Sequence, residues 1–280
     1  RSRDEEEVAG YAEAMNLVFE SHADIPIDEN HIKQLHQLLL KHSSKDARHR
    51  GEYKKLPNDV AAFDAEGRNV GVIFETATPF DTPRKMRELV AWFDHESRVG
   101  QHHVLILIAV FIVHFLAIHP FQDGNGRLSR ILTTLCLLKA GYLYVPYSSL
   151  ERIIEENKDR YYLALRRSQS TLYADNAKLG DWLTFFLQGL KTQTETLARK
   201  LSAGLKESIH YGYTHQDEAI PYALQWGRGI DATLGEKFVK MYVSDLTVDM
   251  GQKGLDALTR LFRLGSEKGL LPAVPEIVLY

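Results

Sequence analysis

The run His119-Pro120-Phe121-Gln122-Asp123-Gly124-Asn125-Gly126-Arg127-Leu128-Ser129-Arg130 puts a base, a hard-metal ligand, a glycine-flanked amide turn and two guanidiniums into twelve residues. Gly124, Asn125 and Gly126 precede a helix expected to begin near Arg127, so their amides and the first free amides of that helix face a common concavity. Donors and helix dipole together make such a place an anion site, suited to phosphate. Arg127 and Arg130 stand three apart on one helical face, near the positive end of the dipole. Cations there cost about 0.3–1 kcal/mol each at exposed sites unless an anion lies between them. Taken alone they read as solvated surface arginines; the glycines ahead of them favour the anion.

Asp123 at the mouth of the turn has two readings. It suits a helix N-cap, and beside a polyphosphate it suits Mg2+, which takes one or two carboxylates plus phosphate oxygens. His119 offers a neutral imidazole at pH 7 to accept a proton from an attacking hydroxyl. Phe121 is expected to bury its ring and pin the loop, and His114, inside an apolar run, to be structural. No P-loop, dinucleotide fingerprint or His-Glu-x-x-His metalloprotease pattern is present; Gly124-Asn125-Gly126 lacks the third glycine and follows a helix.

The elements that position these groups are helical. Apolar spacing predicts helices over 5–20, 29–41, 82–94 with Pro83 at its first position, 102–118, 126–140 with Gly141 as a left-handed stop, 149–167 and 179–206. Pro120 disfavours helical dihedrals at His119, so the fourth helix ends there and presents His119 to the loop. Between 43 and 82 the periodicity disappears and only 70–76 looks strand-like, which reads as a long loop with a small hairpin or flap. Beyond 208 the pattern weakens until 254–264, so a boundary is placed near 206, giving residues 1–206 as one domain and 207–280 as a small module.

Composition narrows the field. Over 280 residues, 44% hydrophobic content is enough for a sizeable core, and a formal charge of -3 argues against a chain held to nucleic acid mainly by counterion release. The single cysteine, Cys136, excludes an internal disulfide and thiolate metal clusters and fits a reducing cytoplasm; it reads as core packing. The apolar run 104–118 is short of a membrane span, and no signal peptide is visible; the chain opens on Arg1-Ser2-Arg3, so trimming upstream is expected.

The twelve-residue run resembles the signature of the Fic family, His-Pro-Phe-x-Asp-Gly-Asn-Gly-Arg-x-x-Arg, with every fixed position filled. Gly51-Glu52-Tyr53, residues 70–79, Ala140-Gly141-Tyr142 and Tyr161-Tyr162 extend the resemblance over roughly residues 5–200. It implies an all-α helical bundle with one small β-hairpin, and transfer of AMP from ATP to a Tyr, Thr or Ser hydroxyl of a target protein. In that reading His119 deprotonates the hydroxyl and Asp123 binds Mg2+. Asn125 and the amides of Gly124 and Gly126 hold the alpha and beta phosphates, and Arg127 and Arg130 take the beta and gamma phosphates. Tyr161 and Gln169 fall where some relatives contact adenine, with Gln replacing their Asn. Val72, Ile73, Phe74, Glu75 and Thr76 form a flap that docks target backbone as an added strand.

Alternatives stay open: removal of AMP, transfer of UMP, phosphate or phosphocholine on the same fold, or a nucleotide-binding transcriptional regulator. The Ser2 and spaced Glu of the N-terminal run match part of a family inhibitory pattern but not its last position. Residues 255–271 faintly resemble a winged-helix recognition helix and its exit, so DNA binding by the tail is carried beside a plain packing module, and a homo-oligomer is neither implied nor excluded.

Overall fold

The structure, a computed structural model, describes residues 3–58, 60–63, 69–74, 76–174, 176–227, 229 and 231–277. The chain divides into two compact units, Arg1–Thr194 and Glu195–Tyr280. In the first, α1 (Arg3–Ser21) and α2 (Glu29–Leu39) precede strands β1 (Val60–Phe63) and β2 (Asn69–Phe74). Then come α3 (Thr82–Val99), α4 (Val104–Ile118), α5 (Asn125–Lys139), a 3-10 turn at Val145–Tyr147, α6 (Leu150–Glu156), α7 (Lys158–Gln169) and the start of α8 (Gly180–Thr214).

Helix α4 is apolar on every side because it is the centre of this unit. It packs against α3, α5 and α7, while α1 and α2 close over α5. Phe111, Phe115 and Ile108 of α4 and Leu128, Ile131, Leu132 and Leu135 of α5 are fully buried; each such side chain contributes about 1.5–3 kcal/mol relative to exposure. Within the aromatic layer the Trp182 indole donates to the Ala109 carbonyl at 2.7 Å. Buried hydroxyls on α5 are answered within the helix, Ser129 donating to the Gly126 carbonyl and Thr133 to the Ser129 carbonyl.

Local signals set the ends of these helices. Pro83 sits in the first turn of α3, and Gly100 at its end is left-handed with φ 68. Gly141, just past α5, is left-handed with φ 88, as its position suggested. The single helix expected over 149–167 is broken at Asn157, whose side-chain amide donates to the Ile153 carbonyl and competes with the helical ladder. Gly10 permits the closest backbone approach: a Cβ there would lie 2.0 Å from the Leu39 carbonyl oxygen. Strands β1 and β2 pair antiparallel, Val60 opposite Phe74 and Ala61 opposite Val72, with register shifts at two points.

The second unit is helical wherever it is described: the rest of α8, then α9 (Gln216–Leu224), α10 (Ala232–Tyr242), α11 (Asp245–Val248) and α12 (Gly251–Glu267). Helix α8 runs through 206, where the boundary was placed, and on to Thr214. Helix α9 packs on α10, and the Tyr213 hydroxyl donates to the Val243 carbonyl at 2.6 Å. The winged-helix expectation is not met: no strand is found among the described residues of this unit. Pro272 and Pro275 follow α12 where a wing would need ladder donors. Among the described residues no helix is long and apolar enough to cross a membrane.

Candidate active site

The loop between α4 and α5 carries His119 and Asp123 and leads into the helix that bears both arginines. His119 ends α4 as its C-cap with φ 52 and ψ 60, and it is the only non-glycine residue with positive φ among the described residues. A non-glycine side chain held there costs of the order of 1–3 kcal/mol, which the surroundings must offset. Its amide donates to the Phe115 carbonyl, and its ring Nδ1 lies 3.3 Å from the Leu116 carbonyl oxygen. A carbonyl can only accept, so this contact places the ring proton on Nδ1 and makes Nε2 the basic nitrogen.

Gly124, with φ 80, is the N-cap of α5, so Asp123 is not the cap. A Cβ on Gly124 would press on Leu39 at 3.4 Å and on the His36 ring at 3.5 Å. The first helical bond of α5 runs from Leu128 to the Gly124 carbonyl, so the amides of Asn125, Gly126 and Arg127 have no intrahelical acceptor. The Asn125 side chain has a different task from the phosphate contact implied for it. Its Oδ1 accepts from the Phe121 amide at 2.9 Å, its Nδ2 donates to the Phe121 carbonyl at 2.6 Å, and it is buried. Its side chain closes the loop, leaving only its backbone amide for an anion.

Both arginines face acidic partners. Arg127 Nη1 lies 3.0 Å from Glu7 Oε2 of α1, yet that buried nitrogen has no hydrogen bond of acceptable geometry among the described residues. The opposed charges are close but poorly aligned. Arg130 donates through Nε to Glu151 Oε2 of α6 at 2.6 Å. Burial and the Glu151 carboxylate together push the Tyr11 hydroxyl above the usual phenol range beside this pair. Asp123, 38% exposed, accepts from the Gly124 amide at 2.6 Å and stands 3.7 Å from Arg127 Nη2. No group of three or more His, Cys, Asp or Glu suited to a metal occurs among the described residues. One accessible carboxylate beside anion-binding amides fits Mg2+ that brings phosphate oxygens as its other ligands.

Further residues support the loop, and one of them, His36, was not singled out from the sequence. His36 of α2 is buried and stacks on Phe121, ring centroids 3.8 Å apart. Its Nδ1 accepts from the Gly51 amide at 2.8 Å, so Nε2 carries the proton and donates to the Asp123 carbonyl at 3.0 Å. Burial pushes this imidazole down to about 4, which keeps it neutral and the tautomer fixed. Tyr53 completes the collar, bridging to Phe121 through the backbone while its hydroxyl donates to Glu29.

The remaining expected residues divide. Tyr161 is buried in an aromatic cluster, its ring 5.9 Å from Trp182 and 5.6 Å from Phe185; burial raises its hydroxyl above the usual range. That packing leaves it little surface for a nucleotide, contrary to the implied adenine contact. Gln169, at the end of α7, buries both amide atoms without a hydrogen-bond partner among the described residues, a condition that calls for a bound partner. Val72, Ile73 and Phe74 lie on β2 and Thr76 follows it, while Glu75 is outside the described residues.

Comparison with known proteins finds likeness over the segment that holds these residues. The model of the Fic/DOC family matches residues 26–137, and one described as menaquinone biosynthesis matches 188–267. A probable protein adenylyltransferase of Aquifex aeolicus is 32% identical over 99 residues, 35% of this chain and 28% of that protein. A protein adenylyltransferase, Fic, of Drosophila ananassae is 34% identical over 90 residues, 31% of this chain and 16% of that protein. The matched segments thus span less than a third of these two relatives. The crystal structure of a Fic domain containing signaling protein from Bacteroides thetaiotaomicron superposes with a TM-score of 0.53 at 27% identity, covering 72% of this chain and 71% of that one. The matched family model spans the whole twelve-residue motif, and over residues 26–137 this chain is similar to the Fic/DOC family.

Proposed function

We propose that this chain transfers AMP from ATP to a Tyr, Thr or Ser hydroxyl of a target protein. The observation that carries the reading is the left-handed His119, with Nδ1 committed to a carbonyl, one short loop away from the open amides of α5. Two relatives named as adenylyltransferases over the matched region support the choice of transferred group. His119 Nε2 takes the hydroxyl proton as that oxygen bonds to the alpha phosphorus, and the bond from that phosphorus to the bridging oxygen breaks, releasing pyrophosphate. General-base help of this kind is worth about 10²- to 10⁴-fold.

The amides of Gly124, Asn125 and Gly126 bind the alpha and beta phosphates, and Arg127 and Arg130 bind the beta and gamma phosphates once their carboxylates are displaced. Asp123 holds Mg2+, which neutralises charge on the phosphates. The Gln169 amide receives the base edge, and Tyr161 backs that wall from within the core. Strand β2 and Thr76 offer backbone to an incoming target segment.

Incubation of the protein and a cell lysate with alpha-labelled ATP should label a protein band, with gamma-labelled ATP leaving no label. His119→Ala is expected to lose at least 10²-fold of the labelling while still binding nucleotide. Label arriving from the gamma phosphate, or surviving the loss of the imidazole, would overturn the assignment.

A further inference from the structure

We propose that Lys54 and Asn58 are positioning residues for the His119 base, and that Thr76 ties this clamp to strand β2. The proposal rests on the transfer reaction above for its kinetic consequence, though not for its geometry. The loop carrying His119 exposes four consecutive carbonyls, and each is engaged by residue 54 or 58. Lys54 Nζ donates to the Ile118 carbonyl at 3.0 Å, and the Lys54 amide donates to the Pro120 carbonyl at 2.9 Å. Asn58 Nδ2 reaches the His119 carbonyl at 3.3 Å and the Phe121 carbonyl at 2.6 Å. A strained backbone conformation persists only where the surroundings over-determine it; these four bonds do so across more than 60 residues of chain.

The residue types are those the geometry needs. Lys54 is 3% exposed, and an ammonium so deeply buried must place its protons on acceptors. Besides the Ile118 carbonyl it donates to Asn58 Oδ1 at 2.7 Å and to Thr76 Oγ1 at 2.9 Å. The Thr76 hydroxyl in turn donates to Asn58 Oδ1 at 3.1 Å. Asn58 therefore donates on the loop side and accepts on the strand side, a division its amide can make and a carboxylate cannot. Thr76 lies two residues beyond the end of β2. A polypeptide laid along β2 and the imidazole that is to meet its hydroxyl are thereby held in register through one buried cluster.

The test measures His119 itself as well as turnover. In protein carrying labelled histidines, the His119 ring signal is identified among the 12 histidines by its loss in His119→Gln. Asn58→Ala is expected to move or broaden that signal while leaving the His114 signal in place. The rate of label transfer at saturating ATP should fall about 10- to 100-fold, the scale of a misplaced reacting group, with the Kd for ATP and Mg2+ within about twofold of wild type. Thr76→Val should do the same to a smaller degree, and Thr76→Ser should restore both readouts; this pair decides the matter if Asn58→Ala does not fold. An unmoved His119 signal, an unchanged transfer rate, or ATP affinity falling in parallel with the rate would overturn the clamp. If the wild type labels no target, the reaction reading fails, and the ring signal still decides whether residues 54, 58 and 76 hold His119.

Discussion

At the scale of single residues, both motif arginines face carboxylates that the proposed triphosphate would have to displace. Arg130 is 17% exposed and its Nε bond to Glu151 is short, whereas Glu151 is 46% exposed and therefore partly hydrated. A half-exposed ion pair is worth at most about 1 kcal/mol, so Glu151→Ala is expected to tighten ATP binding about two- to fivefold. Glu155→Ala, which removes a neighbouring charge of α6 that lies 3.8 Å from Lys158, controls for general electrostatics and should leave affinity unchanged. Calorimetric titration with ATP and Mg2+ measures both; weaker binding in Glu151→Ala would mean that the carboxylate orients Arg130. The same scale shows what a sequence reveals about a site. His119, Asp123, the glycines and the arginines could be singled out from sequence because they lie close together, in a loop and one helix turn. His36 was not, since it reaches Asp123 across 87 residues, and Lys54 and Asn58 were not, because they lie in a stretch without periodicity. The side-chain contacts of Asn125 and Tyr161 escaped the sequence for a related reason: the backbone of Phe121 and the rings of Trp182 and Phe185 engage them through packing that no spacing reveals.

At the scale of elements, the helices that could be read are those with a face or a whole surface in the core. Helix α4 was plain from its apolar run, and α3 from Pro83, while the break at Asn157 depends on one side-chain bond and so escaped the pattern. Helix α1 matters to the site because it brings Glu7 and Tyr11 toward the arginines, and its seating depends on Gly10. A methyl group at that position would stand 2.0 Å from the Leu39 carbonyl oxygen and 2.9 Å from its carbon, a clash with backbone that no rotamer change relieves. Gly10→Ala should therefore destabilise the first unit by about 1–3 kcal/mol, as overpacking does, even though alanine is the better helix former by about 1 kcal/mol. For a unit of this size the melting temperature should drop by about 2–4 °C per kcal/mol. Gly204→Ala, where a Cβ meets nothing within 4 Å on α8, should hold or raise it. Thermal unfolding followed by circular dichroism distinguishes these, and a Gly10→Ala protein melting at or above wild type would refute the close seating of α1 on the end of α2.

At the scale of the whole molecule, the two units differ in how they are held together. Every buried hydrophobic side chain among the described residues lies at or before Leu190. Helices α9 and α12 bury no residue, and Trp226, Phe238, Met241 and Leu261 are all more than half exposed. The two helices differ in pattern: α12 repeats its apolar residues at helical spacing, as 254–264 suggested, whereas α9 does so only weakly. A unit with no buried apolar side chain among its described residues has little to set against its conformational entropy, so local opening there costs far less than global unfolding. Brief digestion with trypsin should accordingly cut first beyond Thr194, where Arg199, Lys200 and Lys206 are exposed on α8. The resistant fragment should contain the whole first unit and keep ATP affinity within about twofold of the intact chain, since every residue assigned to the nucleotide precedes Lys178. Mass spectrometry of the fragments and a nucleotide titration of the purified core check both statements. First cuts within α4 or α5, or a core that no longer binds ATP, would show that the tail shares the stability of the site and that the division at Thr194 has no energetic meaning.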